Sequence, residues 1–471
     1  MRTYIKDLEV KKGEVVTINC WIDVRRDQGK LIFLDFRDMT GYVQGVVLPS
    51  KTEEGIATMA TASKLRSEWV VEITGKVNPR PDKNIQTDKQ NGSIELEVLG
   101  IVVINEAATP PIDVHTDGRE IGEESRLTYR YLDLRRPRLQ KNFRVRSAVT
   151  MFVRNWLTKE GFIEIETPLL TKFTHDGARG FLVPSRLENG KFYALPQSPQ
   201  QYKQLLMVSG FEKYFQIARC LRDEDSRGDR QPEFTQLDME MSFVNREDVM
   251  ALNEKLLIEL VKTITPEKKI QEIPFPRFTY KEAMEKYNSD KPDIRTDKTD
   301  PNLLAFCWVT DFPFFEKTDT DGWTFSHNPF SAPKPEHMNM LMNKENVADI
   351  LTTQYDIVLN GFEAGGGSIR NHNPAALRKV LEIMGYDEAK IHSGFGHMLE
   401  ALGYGAPSHG GIAWGLDRVM AILQNEPNIR EVIAFAKTGE GRELMMESPS
   451  EVSKGQLEEL GLMVKESKKI K

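Results

Sequence analysis

The chain has 471 residues, of which 28% are charged and 39% hydrophobic, a balance typical of globular proteins with two or three domains. No uncharged apolar run approaches the ~18 residues that a membrane span needs, and the first residues carry no apolar signal segment. Three scattered cysteines exclude a disulfide framework or a zinc site and favour a reducing compartment, the cytoplasm. The net charge of −7 argues against indiscriminate nucleic-acid binding, so RNA affinity would have to come from local basic patches.

Residues 1–105 contain five short β-rich runs separated by glycine-bearing turns, which predicts a small barrel of the OB-fold type. A basic turn at residues 24–30 precedes Phe33, and cations beside an exposed ring are what single-stranded RNA binding requires. Phe33 fits a core position equally well. Residues 106–140 are rich in proline and arginine and are interpreted as a hinge module. Its basic cluster fits either an RNA contact or a set of interdomain salt bridges.

The third segment, residues 141–471, begins with a predicted helix over 143–159, followed by a strand over 162–166. A second helix is predicted over 201–210. Residues 215–243 then alternate as two strands joined by a polar turn. Leu237, Met239, Met241 and Phe243 are predicted to share one face. The opposite face would hold Phe234, Gln236, Asp238 and Glu240, and the alternation alone fits a solvated surface as well as a ligand-bearing sheet.

Two later stretches suggest bound phosphates or metal ions. Three consecutive glycines, residues 365–367, lie between acidic residues and Arg370, where only glycine lets a ligand approach the backbone closely. Near the end of the chain, a strand delivers Gly415 to a helix beginning at Leu416. Arg418 then lies in the first helical turn, and a helix N-terminus with an arginine favours a phosphate.

Three motifs in order give these features a common interpretation. Residues 161–168 resemble motif 1 of the class II aminoacyl-tRNA synthetases, residues 222–224 with 234–240 resemble motif 2, and residues 411–418 resemble motif 3. The sequence between the motifs resembles that of the bacterial-type aspartyl-tRNA synthetases. This resemblance extends over nearly the whole chain. The resemblance implies a multidomain fold, with an all-β OB barrel that binds the anticodon and an α+β catalytic domain on an antiparallel sheet. It also implies a homodimer built on the motif 1 helix and strand.

The implied reaction uses ATP and Mg²⁺ to convert L-aspartate to aspartyl-adenylate, and then transfers aspartate to the 3' end of tRNA(Asp). The resemblance assigns catalysis to Arg222, Glu363 and Arg418, and Mg²⁺ to Asp356 and Glu363. It assigns ATP binding to Arg222, Asp223, Glu224, Gln231, Phe234, Glu363, Gly415, Leu416, Asp417 and Arg418. It assigns aspartate binding to Asp176, Ser198, Gln200, Lys203, Arg222, Asp238, His327 and Arg370. The matching anticodon positions are Arg26, Phe33 and Gln44.

The chain departs from the family pattern in two places that bear on function. Asp176 stands where a glutamate is usual, which keeps the carboxylate but shortens its reach. The domain that bacterial members carry between motifs 2 and 3 is absent near residues 294–305, so its contacts to the tRNA acceptor arm are expected to be missing.

Two alternatives compete with this interpretation. One is a synthetase-like RNA-binding or regulatory protein with impaired catalysis, and the other is an asparagine–tRNA ligase. The cations Lys203 and Arg370 in one pocket favour aspartate, because asparagine would leave them unpaired. The sequence leaves open whether tRNA(Asn) is charged as well.

Overall fold

The computed structural model describes residues 2–173, 179–224, 228–319 and 321–465. The chain divides into two compact units, Met1–Arg136 and Pro137–Lys471. No helix in the described ranges is long and apolar enough to cross a membrane.

The first unit is built around a closed five-stranded barrel. Its strands are β1 (Val15–Asp27), β2 (Ile32–Asp38), β3 (Gly41–Val47), β4 (Val70–Pro79) and β5 (Ile94–Asn105), and its helices are α1 (Glu53–Ala62), α2 (Glu123–Thr128) and α3 (Arg130–Asp133). The strand order is β1-β2-β3-β5-β4, and β4 pairs back with β1. Alternate side chains fill the interior, for example Ile18, Cys20 and Ile22 along β1. The predicted OB-type barrel is confirmed.

Residues 106–136 belong to the same compact unit as the barrel, and three of their arginines are buried. The fully buried Asp133 carboxylate accepts hydrogen bonds from Arg126 (3.0 and 3.1 Å), Arg130 (2.6 Å) and Arg136 (2.6 Å). Burial opposes the charge, but the arginines outweigh it and hold the pKa of the Asp133 carboxyl below its ordinary value. Arg130 and Arg136 are therefore interior ion-pair partners, not part of an exposed RNA-binding patch.

Replacing Asp133 by Asn should destabilise the protein by about 3 kcal/mol near pH 7, because it leaves three buried guanidinium groups without their carboxylate. Since the folded pKa of Asp133 lies below its unfolded value, its stabilising effect is complete above the unfolded pKa and is lost as the pH falls. The wild-type advantage over Asp133→Asn should therefore shrink on acidification below about pH 4. Urea titrations at several pH values measure this; a difference that is constant with pH would contradict it.

The second unit is organised around one eight-stranded sheet. Its strands are β6 (Ile163–Glu164), β7 (Leu182–Pro184), β8 (Phe192–Ala194), β9 (Lys213–Leu221), β10 (Glu233–Ser242), β11 (Lys269–Ile270), β12 (Arg277–Thr279), β13 (Leu303–Leu304), β14 (Phe306–Thr310), β15 (Phe315–Lys317), β16 (Trp323–Phe325), β17 (Gln354–Leu359), β18 (Phe362–Ile369) and β19 (His409–Gly415). Its helices are α4 (Pro137–Lys159), α5 (Gln200–Val208), α6 (Arg246–Ile264), α7 (Tyr280–Tyr287), α8 (Met338–Asn343), α9 (Pro374–Ile383), α10 (Glu388–Leu402), α11 (Leu416–Leu423) and α12 (Lys454–Glu459).

The sheet order is β12-β14-β17-β18-β19-β10-β9-β6. The six central strands are antiparallel, as predicted, and only the edge pairs β12–β14 and β6–β9 are parallel. One face packs on α4, α6 and α11 through a large hydrophobic cluster. The predicted strand over 162–166 is reduced to the two edge residues of β6. The predicted first helix begins six residues earlier than expected, at Pro137, because proline is tolerated in a first helical turn.

The hairpin of β9 and β10 has the predicted alternation with one exception. Leu237 and Met239 lie in the core, and Asp238 and Glu240 lie on the opposite face, buried under other side chains. Phe243 was predicted to share the core face. It lies beyond the end of β10, has a φ of 60° and is 70% exposed, because the left-handed residue ends the alternation.

Glycines allow the central strands to lie unusually close to their neighbours' side chains and backbone. A Cβ added to Gly367 on β18 would lie 2.1 Å from the carbonyl oxygen of Gly411. A Cβ added to Gly411 on β19 would lie 2.0 Å from the carbonyl oxygen of Met239. The glycine run at 365–367 is therefore part of a strand and not a flexible loop.

Replacing Gly367 by Ala should lower the free energy of unfolding by about 2 kcal/mol or more, because the methyl group collides with backbone that cannot move away. Gly439→Ala is the matched control, since an added Cβ there meets no atom within 4 Å. Its effect should stay within about 0.5 kcal/mol. Equal urea midpoints for the two variants would contradict the close packing.

The connection from α7 to β13 contains no further domain. Its short course is fixed by Arg295, which donates to Asp293 at 3.0 and 2.8 Å, and by Gln271, which donates to the carbonyl oxygen of Ile294 at 3.0 Å. The chain returns to β14 within this single ordered loop.

Candidate active site

A cavity of about 740 Å³ lies in the second unit over the polar face of β10 and β18. Seven of the eight residues predicted to bind aspartate line it; they are Ser198, Gln200, Lys203, Arg222, Asp238, His327 and Arg370. The eighth, Asp176, lies outside the described residues. These residues are far apart in the sequence. The sheet brings β10 and β18 together, and the start of α5 lies beside them, so that all three contribute to one cavity.

Three buried charges, Lys203, Asp238 and Arg370, line the base of this cavity, and a fourth, Glu240, pairs with two of them. Lys203 Nζ lies 2.6 Å from Asp238 Oδ1 and 3.4 Å from Glu240 Oε2. Arg370 donates to both oxygens of Glu240, from Nε at 2.8 Å and from the terminal nitrogen NH2 at 3.0 Å. None of the four side chains is more than 2% exposed.

This arrangement corrects the expectation of two cations facing an open anion site. Each cation already has a carboxylate partner, and the four charges sum to zero. Glu240 was missed as a site residue, although its alternation with Asp238 placed both on one face. Its pairing with Arg370 joins residues 130 positions apart, which no local pattern reports.

The two carboxylates of this cluster differ electrostatically. Burial raises the pKa of Asp238 despite the nearby Lys203 ammonium. Burial acts on Glu240 as well, but Arg370 and Lys203 outweigh it and hold the pKa of that carboxyl below its ordinary value. Asp238 Oδ2 is buried and accepts no hydrogen bond from the described residues, because the nearby Tyr214 hydroxyl donates its one hydrogen to Gln216 at 2.9 Å. It is therefore an acceptor available to a donor group in the cavity.

A second cavity, of about 270 Å³, adjoins the first and shares Arg222, Glu224 and Glu363 with it. Eight of the ten predicted ATP-binding residues line it; they are Arg222, Glu224, Gln231, Phe234, Glu363, Gly415, Asp417 and Arg418. The Arg222 guanidinium lies 5.2 Å from the centre of the Phe234 ring. Arg418 donates to the carbonyl oxygen of Glu363 at 2.5 Å, and its buried Nε has no partner among the described residues.

Three predicted ATP residues, Leu416, Asp223 and Asp417, have surroundings that point to structural roles. Leu416 is 1% exposed and its side chain packs in the hydrophobic core. Asp223 lines neither cavity, and its backbone N–H donates to the Arg179 carbonyl oxygen at 2.9 Å. Asp417 lines the second cavity, but its carboxylate accepts from Arg146 at 2.5 Å and from the Thr235 backbone N–H at 2.8 Å. Asp417 thus ties α11 to β10 and α4.

The predicted metal ligands Asp356 and Glu363 lie on the neighbouring strands β17 and β18. Asp356 is buried and accepts from Gln354 Nε2 at 2.7 Å, while Glu363 is half-buried and lines both cavities. Burial, and then the Glu363 charge, raise the pKa of Asp356 well above its ordinary value. Lys291, 3.3 Å from Glu363, together with Arg418 outweighs burial and lowers the pKa of Glu363. Asp356 lines neither cavity, but a hard divalent cation such as Mg²⁺ beside Glu363 would offset the charge that opposes ionisation of Asp356.

The barrel residues form a separate site in the first unit. Arg26 and Gln44 line a cavity of about 570 Å³, where Arg26 pairs with Asp35 at 2.8 Å and Gln44 accepts from Arg80 at 2.6 Å. Phe33 is the cross-strand partner of Arg26 and is half-exposed. The core position that the sequence left open for Phe33 is therefore excluded.

Replacing Glu240 by Gln keeps the shape of the side chain but removes the charge that compensates Arg370. We expect a loss of about 3 kcal/mol in the free energy of unfolding, because the guanidinium is left buried without its carboxylate. Glu440→Gln, at an exposed position, should change stability by less than about 0.5 kcal/mol. Urea titrations of both variants test this, and an equally stable Glu240→Gln protein would show that Arg370 does not depend on Glu240.

Two sequence families match the chain. The family of class II tRNA synthetases (D, K and N) matches residues 122–439, and the anticodon-binding family of OB-fold nucleic acid binding domains matches residues 12–104. The chain therefore belongs to the class II tRNA synthetases and carries an OB-fold domain of the anticodon-binding family.

Curated relatives are more specific. The aspartate–tRNA ligase of Staphylococcus saprophyticus is 39% identical, over 96% of this chain and 97% of its own length. That alignment spans 577 positions, more than the 471 residues of this chain, so the relative contains segments that this chain lacks. The chain belongs to the family of aspartate–tRNA ligases.

Solved structures agree in fold. The aspartyl-tRNA synthetase of Entamoeba histolytica gives a TM-score of 0.72 at 24% identity, over 92% of this chain and 91% of that one. The asparaginyl-tRNA synthetase of Pyrococcus horikoshii complexed with asparaginyl-adenylate gives 0.73 at 23% identity, over 93% and 98%. At these identities the likeness concerns the fold alone.

Proposed function

We propose that the protein activates L-aspartate with ATP and transfers it to the 3' end of tRNA(Asp). The observation that carries this proposal is the pair of adjoining cavities. One has a buried base of cations and carboxylates suited to a small zwitterionic acid. The other has two arginines and an aromatic ring suited to a nucleotide, and Arg222 belongs to both.

The first step joins the two substrates where the cavities meet. A carboxylate oxygen of aspartate attacks the α-phosphorus of ATP, the bond to the β-phosphate oxygen breaks, and pyrophosphate leaves. Arg222 lines both cavities, so its guanidinium stabilises the charge that develops on the α-phosphate. Arg418 lies in the first turn of α11, so it supplies a cation beside the helix N-terminus for the terminal phosphate. In the second step, a terminal ribose hydroxyl of tRNA attacks the activated carbonyl and releases AMP.

ATP is oriented by groups with complementary chemistry. Phe234 offers a ring face for the adenine, and Glu224 offers a carboxylate for its amino group. Gln231 holds the segment behind them, because its side chain exchanges hydrogen bonds with the backbone of Lys437 at 2.8 and 3.0 Å. Asp356 and Glu363 would hold Mg²⁺, which neutralises phosphate charge when bound.

Aspartate selection follows from the remaining donors of Arg370. Its five N–H groups include two that Glu240 accepts and one, on the nitrogen NH1, that Ser368 Oγ accepts at 2.8 Å. One N–H on each terminal nitrogen remains to donate to the side-chain carboxylate of aspartate, and arginine suits such a pairing. An asparagine side chain would present an amide N–H₂ to one of these donors, which disfavours the asparagine–tRNA ligase alternative.

The ammonium group of aspartate requires acceptors. Asp238 Oδ2 supplies one inside the cavity, since it is buried without a partner among the described residues. The predicted contribution of Asp176 remains a prediction. Ser198, Gln200 and His327 complete the walls around the substrate.

Several finer proposals accompany this function. The barrel would bind the anticodon through Arg26, Phe33 and Gln44. A candidate second tRNA substrate, alongside tRNA(Asp), is tRNA(Asn). The protein would act in the cytoplasm as a homodimer. Exposed Met151 on α4 and Ile163 on β6 (57% and 48%) offer apolar surface for the second copy. Charging assays with both purified tRNAs and the solution mass test these proposals.

Replacing Arg370 by Ala should raise the KM for aspartate about 100-fold or more, because it removes the cation that pairs with the substrate carboxylate, and truncating one partner of a buried charge pair across a binding interface costs 2–5 kcal/mol. The KM for ATP should stay within about threefold, since Arg370 does not line the nucleotide cavity. Arg378→Ala, in which the removed side chain is exposed on α9, is the matched control. Aspartate-dependent exchange of pyrophosphate into ATP measures both constants, and the thermal midpoint confirms folding.

Two outcomes would contradict the proposed function. A folded Arg370→Ala variant with unchanged aspartate kinetics would mean that the substrate pocket lies elsewhere. No aspartate-dependent exchange by the unaltered protein would favour the catalytically impaired, RNA-binding alternative.

A further inference from the structure

A chain of side-chain hydrogen bonds leads from the backbone at the start of β19 to the wall of the first cavity. His409 Nδ1 lies 2.8 Å from the carbonyl oxygen of Pro407, and His409 Nε2 lies 3.1 Å from Gln204 Nε2. Gln204 Oε1 in turn accepts from Gln200 Nε2 at 3.0 Å. His409 and Gln204 are fully buried, whereas Gln200 lines the cavity.

The direction of this chain is fixed at its buried end. A carbonyl oxygen can only accept, so His409 Nδ1 must carry the proton that it donates to Pro407. In the neutral imidazole, Nε2 is then an acceptor, and Gln204 must present its N–H₂ group to it. The opposite orientation of Gln204 would bring two acceptors together. Gln204 Oε1 therefore faces Gln200 and can receive only an N–H from it.

The orientation of Gln200 follows from its position on α5. Gln200 and Gln204 are four residues apart and so lie on the same helix face. Because Gln200 Nε2 is engaged by Gln204, the carbonyl oxygen of the same amide is left for another donor. Across the described ranges, Gln200 Oε1 receives no hydrogen bond.

We infer that His409 and Gln204 are positioning residues, which orient the Gln200 amide so that its oxygen accepts a hydrogen bond from the substrate ammonium group. This inference rests on the proposed function. Aspartate carries two carboxylates, which only accept, and one ammonium, which only donates. An acceptor of fixed orientation in this cavity can therefore bind only the ammonium end. Together with Asp238 Oδ2, the Gln200 amide oxygen would accept hydrogen bonds from the ammonium group of aspartate, at the end of the substrate opposite to the carboxylate that Arg370 binds.

The test compares two ligands that differ in this group. Succinate has the two carboxylates of aspartate but no ammonium. Replacing His409 by Met removes the acceptor for Gln204, which lets both amides rotate. The KM for aspartate should rise about tenfold, as expected for weakening a hydrogen bond to a charged group. The inhibition constant of succinate, the kcat and the KM for ATP should change by less than about twofold, because none of them depends on the orientation of Gln200.

Two further variants separate positioning from a structural role. His409→Gln should restore the KM for aspartate to within about threefold of wild type, because an amide can donate to Pro407 and accept from Gln204 at once. His392→Met, at an exposed position on α10, is the matched control and should leave all constants unchanged. If His409→Met fails to fold, Gln204→Met interrupts the same chain and should show the same selective effect on aspartate.

The outcomes are distinguishable. A selective loss of aspartate binding that His409→Gln reverses supports the inference. Equal weakening of aspartate and succinate, or unchanged kinetics in folded His409→Met and Gln204→Met, overturns it while leaving the proposed function intact. Absence of aspartate-dependent exchange in the unaltered protein overturns the proposed function itself.

Discussion

The second unit depends on a buried ion cluster in which Lys203, Asp238, Glu240 and Arg370 compensate one another. Each charge alone would be costly in this position, because burial disfavours ions that lack partners. The cluster is compensated only when α5, β10 and the end of β18 are in correct register. A slip of one residue along β10 would turn both carboxylates into the hydrophobic core. The cavity therefore has this geometry only when the strands of the sheet pair in the correct register.

Ligand access depends on the same strands. Gly366 and Gly367 line the first cavity without side chains, which leaves room for a ligand to approach the backbone beside the charged cluster. Side chains just beyond this floor have supporting roles. Asp417 ties α11 to β10, and His409 and Gln204 orient an amide at the cavity wall. The side chains that line the cavity are thus held in place by hydrogen bonds from residues behind them.

Local patterns predicted much of this arrangement. Alternation along residues 233–242 placed Asp238 and Glu240 on one face, and the strand-to-helix junction placed Arg418 in the first turn of α11. Spacing could not show that Glu240 pairs with Arg370, or that Arg126, Arg130 and Arg136 surround Asp133. Ion pairing is chosen by distance in space, and the same residue types fit exposed surfaces equally well. The exposure of Phe243 was likewise missed, since a single left-handed residue ends a strand without a glycine to mark it.

The sequence by itself determined the family, the barrel and the antiparallel sheet and, through the family motifs, most of the predicted substrate residues that line the two cavities. These follow from periodicity and motif, which are properties of neighbouring residues. Only the tertiary structure decided which charges are already paired, which oxygen of Asp238 remains available and which way the Gln200 amide points. Those properties depend on hydrogen-bond partners from distant segments, and a donor or acceptor acquires its role only when its partner is in place.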